Sequence, residues 1–206
     1  MDFSDLTGET DRMLLRPYRL SDYDDFADMH GREEVARYLL WEPRDAEASR
    51  GALQRHRTLT LDNDGDAVIL AGFEKDTGAF VGEFVLFLRS VEHRGGEIGY
   101  ILHPDGQGRG LATEGARAML QLGFETMRMH RIIARLDARN AASAAVLAKL
   151  EMRREAHFAR NEIVKGEWTD EVVYAILAEE WASRSMSSVI SWNRSAVPVR
   201  VDGNSR

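Results

Sequence analysis

The sequence predicts a single α/β domain, α+β by some schemes, in which seven strands form one mixed sheet with helices on both faces. Two observations lead to this fold class. A length of 206 residues suits one well-cored domain and is short for two. The predicted order is strand, two or three helices, three consecutive strands, long helix, strand, short helix and two strands.

The N-terminal part is predicted to be one strand followed by helices. Met13 to Pro17 has strand character and ends at a proline. Ser21 is a suitable N-cap for the first helix, because acidic residues that favour the helix dipole follow it. Asp45 is a suitable N-cap for a later helix running toward Leu61.

The middle of the chain is predicted to form three consecutive strands. Ala67 to Phe73 and Phe80 to Leu88 are rich in β-forming residues, and Asp76-Thr77-Gly78 between them is a hairpin signal. Arg94-Gly95-Gly96 turns the chain again. Glu97 to Leu102 is then the next strand, and it leads directly into a glycine-rich segment.

The C-terminal part is predicted to alternate helix and strand before a closing hairpin. The helix after the glycines carries an apolar stripe at helical spacing: Ala112, Ala116, Met119, Leu120, Gly123 and Met127. Arg131 to Leu136 alternates as a strand, and Asn140 opens a short helix. Phe158 to Val164 and Trp168 to Leu177 form the predicted hairpin, with a last helical turn at Glu179 to Trp181.

The composition changes at Ser183. The remaining segment is rich in Ser, Arg and Asn and has no periodicity, so we expect a domain over residues 1–182 and a poorly ordered tail over 183–206. In an alternative, Val189, Ile190 and Trp192 of this tail dock on a partner subunit, and a homodimer is left open.

Charge and composition exclude several classes of function. A net charge of -7 and a pI near 5.4 argue against nucleic acid or an anionic membrane as the main partner. The absence of cysteine excludes disulfides and thiolate metal sites and suits the cytoplasm, the expected location. We find neither a signal-peptide pattern nor an apolar run near the roughly 20 residues that cross a bilayer.

The central motif is a glycine-rich turn between a strand and a helix, within His103 to Leu122. Such a turn directs unpaired backbone N–H groups and the positive end of the helix dipole at one spot, which favours phosphate. A P-loop is excluded because its lysine is missing, and a dinucleotide fingerprint fails at Thr113. In the alternative interpretation, the turn needs glycine only for its backbone angles.

The segment Gln107-Gly108-Arg109-Gly110-Leu111-Ala112 matches Q/R-x-x-G-x-G/A and resembles the coenzyme A pyrophosphate loop of the GNAT N-acetyltransferase superfamily. The segment HPDGQGRGLA resembles the corresponding segment of the ribosomal-protein-alanine acetyltransferase-like branch of this superfamily. Further stretches with the same resemblance are TDRMLLRPYRLSDYDDF, GEIGYILHPDGQGRGLATEGA, ARNAASAAVLAKLEM and KGEWTDEVVYAILAEEW, spanning about Asp11 to Trp181. The resemblance implies a mostly antiparallel sheet, acetyl-CoA as donor and an amine as acceptor.

The resemblance also implies where coenzyme A binds. The pantetheine arm would pair with the strand edge at Tyr100, Ile101 and Leu102. The pyrophosphate would rest on the loop, whose residues are Gln107, Gly108, Arg109, Gly110, Leu111, Ala112 and Thr113. Asn140 occupies the position of a hydrogen bond to pantetheine, although it is equally suited to be a helix N-cap.

Acyl transfer to an amine needs a base and a way to protonate the departing thiolate. Ser143 matches the proton donor of this branch, since the tyrosine that other relatives use is replaced by Leu147. Glu97 is the candidate base, with a solvated glutamate at a strand end as the alternative. The six histidines show no pair at metal-ligand spacing, and we expect no metal.

The acceptor pocket is the least determined part of the site. In such proteins two regions of the chain form the walls of the acceptor pocket. Here these regions contain Tyr38, Trp41, Phe158, Asn161 and Trp168, any of which is also suited to the core. The expected acceptor is a primary amine, either a protein N-terminal α-amine or a small amine, attacking the donor directly. Two alternatives remain: a non-catalytic acyl-CoA sensor, and an enzyme using a longer donor such as succinyl-CoA.

Overall fold

A computed structural model describes residues 3–58, 60–183 and 190–193. These residues form one sheet of nine strands in the order β7-β8-β6-β5-β4-β3-β2-β1-β9. The strands are β1 (Gly8–Glu9), β2 (Met13–Pro17), β3 (Ala67–Glu74), β4 (Phe80–Ser90), β5 (Gly95–Leu102), β6 (Arg131–Asp137), β7 (Arg153–Val164), β8 (Glu167–Leu177) and β9 (Ser191–Trp192). The helices are α1 (Tyr23–His30), α2 (Glu33–Ala36), α3 (Ala46–His56), α4 (Leu111–Gln121), α5 (Ala141–Lys149) and α6 (Ala178–Ala182).

The sheet is mixed and mostly antiparallel, as predicted. Within the described residues, β5 and β6 form its one parallel pair. The seven predicted strands are β2 to β8. The extra strands β1 and β9 have two residues each and are too short for a periodic signal.

Side chains of the sheet alternate between two faces. On one face, Phe84 of β4 and Ile98 of β5 pack in the larger core, which includes α4 and α5. On the other face, Ala71 of β3 packs with Phe26 of α1 and Leu53 of α3 in a second cluster. Helices therefore cover both faces, and each face of β5 meets a different layer.

The starts of the helices follow local chemistry. The Asp45 side chain accepts a hydrogen bond from Ala48 N and caps α3, as predicted, but α3 ends at His56 and not near Leu61. The prediction that Ser21 caps the first helix was wrong. A short 3-10 turn over Leu20–Asp22 precedes α1, so Ser21 lies inside helical backbone, and the Asp22 carboxylate accepts the Arg19 backbone N–H at 2.7 Å at the start of this turn.

Two glycines position α4 at the end of β5. Gly110 immediately precedes the helix with φ of 81°, a left-handed conformation that favours glycine. Gly115 faces the sheet, where a Cβ would lie 2.2 Å from the Phe84 ring. The helix can therefore pack directly onto β4, and its N-terminus lies at the glycine-rich loop.

Part of the C-terminal segment is ordered. Ser191–Trp192 pairs with β1, and Ile190 and Trp192 are buried in the core of the same chain. A Cβ at Gly8 would lie 2.5 Å from the Trp192 ring, so the two strands are in close contact. For these residues the expected disorder, and the alternative of docking on a partner subunit, were wrong.

Residues 184–189 and 194–206 of the predicted tail, which include Val189, lie outside the described residues, so the boundary at residue 182 stays a prediction. No helix among the described residues is long and apolar enough to span a membrane.

Candidate active site

The parallel strands β5 and β6 separate partway along their length. Gly95 to Glu97 pair with Arg131 to Ile133, and no pairing continues beyond them in the described residues. β5 stays paired with β4 as far as Leu102, so only its β6 side opens. From Ile98 to Leu102 this side presents backbone N–H and C=O groups without a strand partner, next to the glycine-rich loop.

A cleft of about 400 Å³ occupies this opening. It is bordered by the segment around α2, the end of β5, the glycine-rich loop and α5. Its lining residues are Glu34, Val35, Tyr38, Leu39, Tyr100, Ile101, Leu102, Gly106, Gln107, Gly108, Gly110, Ala112, Thr113, Asn140, Ala142, Ser143, Ala145, Val146 and Lys149. The cleft thus joins an unpaired strand edge to a helix N-terminus.

The loop end of the cleft is suited to a phosphate. Gly108 and Gly110 have positive φ angles, and Gln107 donates to the Leu102 carbonyl at 3.3 Å, which holds the loop against β5. The first-turn N–H groups of α4 have no intrahelical acceptor, because no turn precedes them. Ala112 and Thr113 bring this helix end to the cleft.

Two basic residues near the cleft differ in their access to it. Arg109 does not line the cleft, because Glu74 binds its guanidinium through two hydrogen bonds. This contact holds the pKa of the Glu74 carboxyl below its usual value. Lys149, in the last turn of α5, is the one basic side chain among the lining residues.

Asn140, Ser143 and Tyr100 meet in the middle of the cleft. Asn140 Oδ1 accepts the Ser143 N–H at 3.0 Å, so the predicted N-cap is confirmed. The Tyr100 hydroxyl donates to the Ser143 carbonyl at 3.1 Å and lies 2.9 Å from Ser143 Oγ. Since a phenol has one proton, this arrangement directs the Ser143 hydroxyl proton at Tyr100 Oη.

Tyr100 is therefore paired with the predicted proton donor. Burial is the main cause that raises the pKa of Tyr100 to about 12, although the hydrogen bond with Ser143 acts in the opposite direction. The phenol keeps its proton at neutral pH. The sequence assigned only the backbone of Tyr100 to the cofactor, whereas in the structure its side chain also lies at the cleft, next to Ser143.

Glu97, the predicted base, points to the other face of the sheet. It is the last β5 residue paired with β6, at the apex of the opening, but it does not line the cleft. Its carboxylate accepts Arg89 Nε at 2.8 Å and Arg135 Nε at 3.2 Å. Both of these partners are guanidinium groups, and the role of Glu97 as a base stays a prediction.

The structure brings one of the predicted acceptor residues to the cleft. Tyr38 lines it, whereas Trp41 stacks on His30 with ring centroids 5.0 Å apart. Asn161 donates to Glu171 at 2.7 Å, outside the cleft lining. Phe158 and Trp168 are exposed on the β7-β8 hairpin. Leu111 of the predicted loop is buried in the core.

Several lining residues were missed by the sequence reasoning. On α5 these are Ala142, Ala145, Val146 and Lys149, whose spacing places them on one helix face. The lining residues Glu34, Val35, Leu39 and Gly106 carried no comparable signal.

Sequence spacing also missed a polar network on the α1/α3 face. Tyr18 Oη and His30 Nε2 each lie 3.2 Å from Glu83 Oε2, and His56 Nδ1 lies 3.3 Å from the same oxygen. Burial raises the pKa of Glu83, but the two histidines, His30 through a hydrogen bond and His56 through its proximity, hold that pKa well below its usual range. Burial in turn lowers the pKa of His30.

The two histidines and Glu83 place one possible ligand atom each within 4.8 Å of one another. Arg44 Nη1 lies 2.9 Å from His30 Nδ1 and can only donate. The proton of the neutral His30 is therefore on Nε2, where it donates to Glu83. A metal would need the lone pair at that atom, so this geometry favours a hydrogen-bonded network, and the absence of a metal stays a prediction.

The fold and the cleft define an acyltransferase of the GNAT kind, and comparisons with known proteins agree. Residues 12–153 match the family described as an acetyltransferase (GNAT) domain. The uncharacterized N-acetyltransferase YnaD of Bacillus subtilis is 35% identical over 84% of this chain and 97% of its own length. The [ribosomal protein uS5]-alanine N-acetyltransferase of Escherichia coli is 27% identical over 84% of this chain and 91% of its own length.

A solved acetyltransferase of the GNAT family from Bacillus anthracis superposes with a TM-score of 0.77. It is 28% identical and covers 84% of this chain and 99% of its own. The chain therefore belongs to the GNAT acetyltransferase family and is an enzyme with N-acetyltransferase activity of the GNAT kind. The resemblance to the ribosomal-protein-alanine acetyltransferase-like branch is confirmed.

Proposed function

We propose that this enzyme uses acetyl-CoA and transfers the acetyl group to a primary amine by direct attack, without a covalent enzyme intermediate. One observation carries this proposal: the unpaired edge of β5 leads directly to a helix N-terminus, within one cleft. A strand edge suits the amide groups of a pantetheine arm, and the helix N-terminus suits a pyrophosphate.

The residues of the cleft have separate tasks in this proposal. Ile101 and Leu102 offer backbone groups to the pantetheine arm, and the N–H groups at Gly108 to Thr113 hold the phosphates together with Lys149. Acetyl-CoA, when bound, supplies an acyl thioester. The hydrogen-bonded pair of Ser143 and Tyr100 provides a proton for the thiolate, with Tyr100 kept in its protonated form by burial.

The acceptor is a primary amine, either a protein N-terminal α-amine or a small amine. The Escherichia coli relative is named for an alanine of a ribosomal protein, which supports the first class. Glu34 is the one acidic residue in the cleft lining, and its charge favours a cationic acceptor of either class. An acidic protein that lacks cysteine suits the cytoplasm as the place of action.

The test is thiol release from acetyl-CoA with an amine panel that includes an alanyl peptide, spermidine and butylamine. We expect free thiol to appear only when an amine is present, at a rate typical of enzymes. The amine product should be about 42 Da heavier than the free amine, because one acetyl group replaces one hydrogen. Saturable CoA binding without amine-dependent thiol release would indicate a sensor. Faster turnover with succinyl-CoA in donor competition would indicate a different acyl donor.

A further inference from the structure

A second cavity, of about 410 Å³, lies beside the cleft, between the end of α2 and the β7-β8 hairpin turn. Its lining residues are Arg37, Tyr38, Arg139, Val164, Lys165 and Glu167. Tyr38 lines both this cavity and the cleft, and Arg139 directly precedes Asn140 of the cleft. Consecutive Cα atoms are about 3.8 Å apart, so a small molecule in the cleft can extend into this basic cavity.

The basic cavity is positively charged in a protein that is acidic as a whole. Three of its lining side chains are cations, and Glu167 is the one carboxylate among them, whereas the whole chain has a net charge of -7. The Glu167 side chain is 75% exposed and lies 3.4 Å from Arg139, and an ion pair so exposed is weak. A local excess of positive charge in an acidic protein favours an anionic ligand at this place.

The two arginines of the basic cavity differ in how far they are neutralised. Asp137 accepts hydrogen bonds from Arg139 Nε at 3.0 Å and Arg139 Nη2 at 2.7 Å, which compensates this guanidinium and fixes its position. Arg37 makes no ion pair with any residue that the structure describes, and its guanidinium lies 5.2 Å from the centroid of the Tyr38 ring. The charge of Arg37 is therefore available to a carboxylate, which a guanidinium binds through two parallel hydrogen bonds.

Lys165 occupies a turn position that disfavours lysine. Lys165 and Gly166 form the two-residue turn between β7 and β8, with φ of 51° and 82°. Asn, Asp or Gly suits the first position of such a turn, and a longer side chain is strained there. The Lys165 ammonium donates to the Ala36 carbonyl at 2.9 Å and lies 3.6 Å from the exposed Glu42. The strained backbone indicates that the side chain, and not the turn, accounts for lysine at this position.

The sign of the charge changes between the cleft and the basic cavity. Glu34 of α2 lines the cleft, and Arg37, three residues later, lines the basic cavity. A molecule with an ammonium group and a carboxylate a few bonds apart matches both charges. A polyamine matches Glu34 only, because its other nitrogens would meet Arg37 and Lys165.

Resting on the proposed acetyltransferase function, we propose that the basic cavity binds a carboxylate of the acceptor and so selects amines with an acidic group close to the nitrogen. The amine lies in the cleft near Glu34, and Arg37 and Lys165 bind the carboxylate. An extended chain spans about 3.3–3.6 Å per residue, so the carboxylate belongs to the same residue as the amine or to the next side chain. A free α-amino acid and a peptide with an acidic second residue are the two sources of this chemistry.

The test compares acceptors of equal shape that differ in charge. Alanyl-aspartyl amide is paired with alanyl-asparaginyl amide, and free alanine with alaninamide, while spermidine serves as the fully cationic acceptor. Thiol release gives kcat/KM for each acceptor. Calorimetry measures the binding of the same acceptors in saturating CoA, which carries no acyl group, so this second readout needs no turnover.

The variants are Arg37→Gln, Lys165→Asn and the double variant, and the chain offers a matched control for each single change. For Arg37→Gln the control is Arg50→Gln, whose guanidinium also lies over a tyrosine ring, at 5.3 Å. For Lys165→Asn it is Lys75→Asn, whose ammonium likewise donates to a backbone carbonyl, at 3.2 Å. Neither control residue lines the cleft or the basic cavity. Asparagine suits the turn at residue 165, so Lys165→Asn is expected to fold.

We expect the wild type to prefer the acidic member of at least one pair by about tenfold, in both kcat/KM and affinity. Each single variant should lower this preference by about threefold, the double variant should abolish it, and both controls should retain it. The preference should also fall between about 0.01 M and 1 M salt, because the Debye length shortens from about 30 Å to 3 Å. The pair that shows the preference identifies the source of the carboxylate.

Three results would overturn the carboxylate site. One is a wild type that treats the two members of both pairs alike. Another is an acid preference that the double variant retains, or that both single variants retain if melting curves show the double variant to be unfolded. The third is a wild type that favours spermidine over both acidic acceptors. Absence of thiol release with every amine would instead refute the proposed function, and the acid preference would then be decided by calorimetry alone.

Discussion

Gly110→Val tests the phosphate loop against a matched control in the same chain. Gly110 has φ of 81°, and a Cβ there would meet only Arg12 Nη2 at 3.5 Å. Gly78, in the β3-β4 hairpin turn, has φ of 72° with nothing within 4 Å of its Cβ. Both substitutions impose the same backbone strain and little steric conflict, but only Gly110 lines the cleft.

We expect each variant to lose about 1–3 kcal/mol of unfolding free energy, because valine avoids positive φ. For a chain of this size that corresponds to a fall in Tm of roughly 2–4 °C per kcal/mol. Relaxation of that strain at Gly110 moves the first N–H groups of α4. Loss of about two charge-assisted hydrogen bonds would weaken CoA binding by about a hundredfold or more.

Calorimetric titration of CoA into the two variants measures this difference. Gly78→Val should bind CoA with wild-type affinity in spite of its lower Tm. Equal CoA affinity in folded Gly110→Val and Gly78→Val would show that the phosphates are held somewhere other than this loop, and the proposed position of the donor would be wrong.

Three further outcomes follow from the contacts. Tyr100→Phe and Ser143→Ala should each lower kcat by about tenfold to a hundredfold with little change in CoA affinity, measured by thiol release; unchanged kcat in both would remove the pair from proton transfer. Trp192→Ala should lower the unfolding free energy by about 3–5 kcal/mol in denaturant titrations, as its buried ring covers Gly8; a loss under about 1 kcal/mol would contradict the packing of β9. Burial lowers the pKa of His30 in the folded state, so its contribution to stability is present above about pH 6.5 and is lost as the pH falls below that value. The decrease between pH 7 and 5 should be smaller in His30→Gln, and an identical pH dependence in the two proteins would argue against a buried neutral imidazole.

The features that the sequence predicted well are local. Asp45 and Asn140 cap helices through hydrogen bonds to residues three positions later, so the chemistry is contained in a short segment. The glycine-rich loop is likewise one continuous segment between a strand and a helix. Ser21 failed as a cap because it lies inside the 3-10 turn Leu20–Asp22 that precedes α1.

The features that the sequence missed depend on contacts between distant segments. Arg109 is adjacent to the predicted phosphate site, but Glu74 of the neighbouring β3-β4 hairpin binds its guanidinium. Lys149 reaches the same cleft from the end of α5. Neither contact leaves a trace in the spacing of residues along the chain, because each joins segments that are distant in sequence.

The sequence by itself determined the element order, the glycine-rich loop and the GNAT family of this enzyme. These depend on periodicity, backbone propensity and contiguous motifs, which are properties of short segments. Only the tertiary structure decided that Tyr100 meets Ser143 and that Glu83 meets His30 and His56. Each of these contacts joins residues from separate elements, and their distances arise only when the register of β4 and β5 places both faces of the sheet against their helices.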